Sequence, residues 1–168
     1  HEHLQWAIEL EHATIPPYLC ALYSIKDDTN RECVEVIQSV FIEEMLHMAL
    51  VANILIATGG KPQLDYPEFI ANYPTPLPHS DKSFEVNLNK FSPESIECFL
   101  KIERPAKADA VSQDEGFASI GQFYKALEEG IIYPYSFLLE KYRHAISEIG
   151  LGSRNFTPDH VWLKKVDG

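Results

Sequence analysis

The sequence predicts an all-α protein, an antiparallel helical bundle with a long proline-rich crossover, and three observations predict it. Two long stretches, beginning at Leu4 and at Thr29, repeat apolar residues every three or four positions, the spacing of a helix with one buried stripe. Between them and the later chain lie Pro62, Pro67, Pro74, Pro76 and Pro78, which rule out a regular helix over residues 61–89. A third long periodic stretch opens near Ala118.

At 168 residues the chain is long enough for one domain with its own core and short for two, so a single domain over residues 1–168 is expected. Apolar residues make up 45% of it, and no uninterrupted apolar run approaches the ~20 residues of a membrane span. Twenty-five acidic against fourteen basic residues give a formal charge of -11, which repels a phosphate backbone and an anionic membrane alike. Neither nucleic acid nor membrane is an expected partner; a small-molecule substrate is, and self-association into a homo-oligomer is compatible with the pattern. The acidity reads either as solubility or as carboxylates gathered around cations. Cys20, Cys33 and Cys98 are odd in number and contain no Cys-x-x-Cys pair, so a reducing, cytoplasmic setting is expected rather than a disulfide framework or a thiolate zinc site. No signal-peptide pattern precedes the first helix.

The first helix is read from Leu4 to about Ile25, with Leu4, Ile8, Ile15, Leu19 and Leu22 inward. Pro16 and Pro17 inside it remove two backbone donors, so a kink or break near Thr14 is expected, with carbonyls around His12 and Ala13 left unpaired. The second helix is expected to start at Thr29, which forms a capping-box spacing with Glu32, and to stop at Gly59-Gly60. Its seam is Ile37, Val40, Glu44, His47, Val51 and Ile54, alternating steps of three and four as in a helix packed nearly antiparallel in a bundle. Tyr66 and Tyr73 are placed to fasten the crossover to the bundle. Ser92-Pro93-Glu94 reads as the start of a short helix with Ile96, Phe99, Leu100 and Ile102 on its apolar side, ending near Arg104-Pro105. The third long helix is expected to turn Ile120, Phe123, Tyr124, Leu127 and Ile131 inward, to be limited or kinked at Pro134, and to continue through Tyr135, Leu138, Tyr142, Ala145 and Ile149 to Gly150 and Gly152. Pro158 to Gly168 reads as a tail.

The chemistry lies in two polar members of the second seam. Glu44 and His47, three apart, project from one face of a helix about one turn apart, so one divalent cation can meet a carboxylate oxygen and an imidazole nitrogen together. Glu-x-x-His is a common accident on exposed helices, but here both residues fall on an apolar seam, where an unpaired carboxylate would cost several kcal/mol. A metal ion resolves that conflict; a buried Glu hydrogen bonded to a buried His is the alternative. Glu11 interrupts the first helix's stripe in the same way, so two helices each turn a carboxylate inward. Glu9 and His12 repeat the spacing on a neighbouring face, with His12 read as a structural residue satisfying the carbonyls freed by the prolines, or as a partner to a ligand. On the third helix Glu128 is the inward-leaning candidate, with a solvated surface residue as the alternative, and Glu129 looks exposed. Glu140 and His144, four apart, are read as solvated or interhelical rather than chelating.

Five ordered stretches, AIELEHATIPPYLCALYSI from Ala7, EEMLHMALVANILIATGGKP from Glu43, YPTPLPH from Tyr73, FSPESIECFLKIERP from Phe91 and SIGQFYKALEEG from Ser119, resemble the ferritin-like domain family of iminophenyl-pyruvate dimer synthases, the coupling enzymes of bisindole pathways. The resemblance implies an antiparallel four-helix core with a long crossover and metal ligation by Glu11, Glu44 and His47. It implies an iron-dependent oxidoreductase, with di-iron or manganese as the variants of the cofactor, acting on an amino-acid-derived imino acid; a metal-binding or storage bundle without turnover is the alternative. Relatives often carry a glutamate where this chain has Gln122, and they continue into a further helix with acidic and His residues for which no counterpart is read after Val161. The resemblance therefore implies half of a di-metal site.

Overall fold

The computed structural model describes residues 1–132. The expected fold class is the one observed: α1 (Glu2–Tyr23), α2 (Arg31–Ala57) and α3 (Pro93–Ile102) are joined by α4, helical from residue 120 to 132, and no strand occurs among the described residues. The chain divides into two compact units, His1–Glu128 and Glu129–Gly168, and the site lies wholly within the first. The expectations for Pro134 to Ile149, including Glu140 and His144, and for the tail fall outside the described residues.

Helix α1 is the centre of the first unit. Its buried side chains are not a stripe but most of its circumference: Leu4, Ala7, Ile8, Leu10, Glu11, Ala13, Thr14, Pro17, Tyr18 and Ala21. α2 covers one side, α3 touches it, and the crossover lies along it. Helix α1 runs through Pro16 and Pro17, so of the kink or break expected near Thr14 the break does not occur. The carbonyl that Pro17 leaves without an intrahelical donor is that of Ala13, and the Tyr73 hydroxyl donates to it at 2.7 Å. An external donor thus replaces the missing helical one, and the helix has no reason to break there.

The crossover is held by a row of such contacts along α1. The Gln5 amide clasps the Gln63 backbone, donating to its carbonyl at 2.8 Å and accepting from its N–H at 2.9 Å. Tyr66 donates to Glu9 Oε1 at 2.6 Å, and His79 Nε2 lies 3.0 Å from Glu9 Oε2 while its ring stacks on Trp6 at 4.0 Å. Both tyrosines expected to fasten the crossover do so. Burial pushes each phenol up to about 12, so both remain donors at neutral pH.

Helix α2 buries Ile37, Glu44, Val51 and Leu55. Of the expected seam, Ile37, Glu44 and Val51 are buried, Val40 is half-buried and His47 is exposed; beyond Val51 burial advances by four to Leu55 instead of by three to Ile54, because a 3.6-residue helix drifts away from a strict 3.5 repeat. Val36, Ile42, Met45, Leu46, Leu50, Ile54 and Ile56 are 41–62% exposed. By length and composition alone α2 would be able to cross a membrane, a property the residue-run count missed, although Glu43 and Glu44 stand at its middle. It begins at Asn30, in left-handed backbone at φ 48°, without a side-chain cap; Thr29 donates instead to the Lys26 carbonyl at 2.7 Å, so the expected capping box does not form. At the other end Gly59 adopts φ +87°, Gly59 N donates to Ile56 O and Gly60 N to Leu55 O, the paired bonds of a Schellman stop.

Helix α3 starts as read, with Ser92 as N-cap in a reciprocal box with Ser95 and Pro93 in the first turn. Phe99 and Ile102 are buried, whereas Leu100, expected inward, is 66% exposed. Its end delivers Glu103 and Arg104 to a cleft that Glu11 and Glu44 also line.

Candidate metal centre

Glu11 on α1 and Glu44 on α2 are buried, at 3% and 6% exposure, and with His47 they place ligand atoms within 4.8 Å of one another. This group could hold a metal ion. Each carboxylate has one oxygen pinned and the other free to face the imidazole. Tyr124 of α4 donates to Glu11 Oε1, while Glu11 Oε2 lies 3.5 Å from His47 Nδ1. Thr14, fully buried on α1, contacts Glu44 Oε2 at 2.6 Å, while Glu44 Oε1 lies 3.4 Å from the same nitrogen. Ligands sharing one ion at about 2.1 Å, with angles between octahedral and tetrahedral, stand about 3.0–3.4 Å apart. The separations from His47 Nδ1 are at or just beyond that range.

The electrostatics call for a cation. Two ionised carboxylates within 4.8 Å repel by roughly 3 kcal/mol at an effective dielectric constant near 20, before the cost of burial is added. The response of the metal-free cluster is to hold a proton: burial first, and then the Glu44 charge, push the Glu11 carboxyl up to about 8. Tyr124 is driven upward by burial and by Glu11, so it stays a phenol and a donor. A divalent ion would supply the missing positive charge directly.

The centre opens into a cleft of about 210 Å³ lined by Ile102, Glu103, Arg104, Pro105 and Ile120 besides the three donors, Gly121 and Tyr124. His47 is half exposed at its mouth. Gly121 admits the wall at Ala106, because a Cβ there would stand 3.1 Å from the Ala106 Cβ.

Other residues singled out in the sequence are placed elsewhere. Glu128 is exposed and is not one of the three grouped side chains. Gln122 accepts from Ala118 N and donates to the Val111 carbonyl, so its amide ties the start of α4 to the preceding loop. Glu9 serves the crossover through Tyr66 and His79. His12 packs on Phe69 at 4.4 Å with Nδ1 buried and unpaired; burial holds its imidazole below the usual range, and the carbonyl-pairing role expected of it belongs to Tyr73. Thr14, Tyr124 and Glu103 had no part in the expected site. Tyr124 was read as inward, but a hydroxyl 113 positions from its carboxylate partner leaves no periodic trace.

Comparison with known proteins places the chain in a family: the family model described as ferritin-like matches residues 4–153. No curated protein and no solved structure matches the chain.

Proposed function

Because the chain belongs to the ferritin-like family, we propose that Glu11, Glu44 and His47 hold a divalent transition metal and that the protein is an iron-dependent oxidoreductase. In this reading it couples or oxidises a small amino-acid-derived imino acid, as its resemblance to the iminophenyl-pyruvate dimer synthase group suggests. The observation that carries the metal reading is the facing pair of buried carboxylates with one imidazole between them.

Two carboxylates and one nitrogen form a hard, oxygen-rich set suited to iron or manganese. Reduced iron with open positions supplies the oxidising power of dioxygen when it is bound. The chain's own residues do the rest. Thr14 and Tyr124 fix the carboxylate rotamers, so the donor atoms are arranged before an ion arrives. The cleft's volume admits only a small metabolite, and its wall from Ile102 to Pro105 limits water on one side. Free Cys20, Cys33 and Cys98 suit a reducing cytoplasm.

Protein from iron-supplemented cells is expected to carry roughly one transition-metal ion per chain, lost in Glu44→Ala. Trace metal in a folded wild-type chain overturns the reading. A second reading, a metal-holding bundle without turnover, draws on the fact that neither Gln122 nor Glu128 joins the group. Oxygen uptake on adding reductant and imino acids generated in situ supports the enzyme; a flat trace with metal bound supports the holding protein.

A further inference from the structure

We propose that Glu103, the residue that caps the C-terminus of α3, is an outer carboxylate ligand of the same centre, delivered by the arm after the crossover and not by a bundle helix. This rests on the metal reading above. Its backbone N–H closes α3 on the Phe99 carbonyl at 2.9 Å, so the position of its Cα is fixed by the helix end. As a residue it is exposed, yet its carboxylate reaches inward, where Oε1 accepts from the Tyr18 hydroxyl at 2.5 Å.

Tyr18 is 1% exposed and lies two turns along α1 from Glu11. Helical side chains lean toward the N-terminus, which carries the phenol back toward Thr14 and Glu11. Tyr18 thus does for Glu103 what Thr14 does for Glu44 and Tyr124 for Glu11: a buried hydroxyl pins one oxygen. The other Glu103 oxygen has no hydrogen-bond partner among the described residues. Glu103 lines the same cleft as the three donors, and its carboxyl feels Glu44 and His47.

The nearby cation does not compete for it. Arg104 also lines the cleft, but its Nη2 donates to the Ala118 carbonyl at 3.2 Å. Glu103 stands outside the 4.8 Å group, so ligation requires a rotation of its own side chain, which its exposed position permits. An ion in the cleft draws the free oxygen inward while Tyr18 holds the other.

Cobalt(II) is the probe, because its visible spectrum reports the number and kind of ligands. Full-length wild type, Glu103→Gln, Glu43→Gln and Tyr18→Phe are stripped with chelator and titrated. Glu103→Gln keeps an acceptor for Tyr18, so its metal-free melting is expected to match wild type. Glu43, exposed on α2 and close enough for its charge to act on Glu103, is the control for loss of charge alone. Glu103→Gln should weaken cobalt binding about tenfold or more and alter the spectrum; Glu43→Gln should weaken it only about twofold and leave the spectrum unchanged. Tyr18→Phe should fall between them with a broadened spectrum. Equal losses in the two glutamine variants with one common spectrum overturn the role of Glu103 and leave the three-residue centre standing. No cobalt binding by wild type removes both.

Discussion

Glu11→Gln should make the metal-free protein more stable at neutral pH while abolishing its affinity for metal. Glu11 has a folded-state value raised from 4.5 to about 8 by burial and by Glu44. In the unfolded chain it ionises near 4.5, so at pH 7 folding must place a proton on it. The cost is the 2.5-unit gap between 4.5 and 7, about 3 kcal/mol. The raised value means that the folded state binds the extra proton: stability is fully present below pH 4.5, declines as pH rises through about 8, and levels off above it. Glutamine keeps an acceptor for Tyr124 and never ionises. Urea unfolding after chelator treatment, near pH 5, 7 and 8.5, is expected to show wild type losing stability across the series and Glu11→Gln holding level, with a gain of about 2–3 kcal/mol at pH 7. Saturating manganese should reverse the order, since a ligand at about 1,000 times its Kd stabilises by about 4.1 kcal/mol and the variant lacks the site. Parallel pH profiles for the two metal-free proteins would refute the reasoning, for they would mean that Glu11 ionises as freely in the fold as outside it.

Three further outcomes follow from individual contacts. Tyr73→Phe strands the Ala13 carbonyl that Pro17 cannot pair, so urea unfolding should show a loss of about 1–3 kcal/mol; a loss under about 0.5 kcal/mol would show that the hydroxyl is dispensable. Gly59→Ala puts a Cβ on a residue at φ +87° with open space around it, so the cost is that of the left-handed backbone alone, about 1 kcal/mol by thermal unfolding. Thr14→Val keeps the shape of a fully buried side chain while removing the donor to Glu44, and should weaken manganese binding about tenfold where Thr14→Ser does not. Equal affinities for the valine and serine variants would remove Thr14 from the centre.

What the sequence made legible was whatever periodicity can carry. Glu44 and His47 stood out because they are polar members of an apolar repeat, and Glu11 because it breaks one. The fastening of the crossover was half legible: Pro17 announces an unpaired carbonyl at Ala13, and Tyr73 is one of several candidates to meet it, but only folding selects the donor. Helix α1 was misjudged, since Ile15, Leu19 and Leu22 of the expected stripe are only half-buried while Leu10, Ala13 and Ala21 are buried by elements arriving on other sides, and a single-stripe pattern describes a helix with one covered face. The second helix starts from Asn30 and not from Thr29, whose hydroxyl donates to the Lys26 carbonyl. A turn contact of that kind leaves no trace in the capping spacing.

The hydroxyls of the centre are the least legible part and explain most about it. Thr14 Oγ1 stands 2.7 Å from the Glu11 carbonyl and 2.6 Å from Glu44 Oε2, yet it has a single proton to give. A bond to a carboxylate is charge-assisted and stronger than one to a carbonyl, so the hydroxyl gives its proton to Glu44. The proton that the metal-free cluster holds belongs to Glu11, whose Oε1 accepts from Tyr124 and whose Oε2 faces His47. An ion that takes the place of that proton at Oε2 leaves both hydroxyl bonds as they are, so the same three side chains can be part of a buried helix interface and a ready set of ligands.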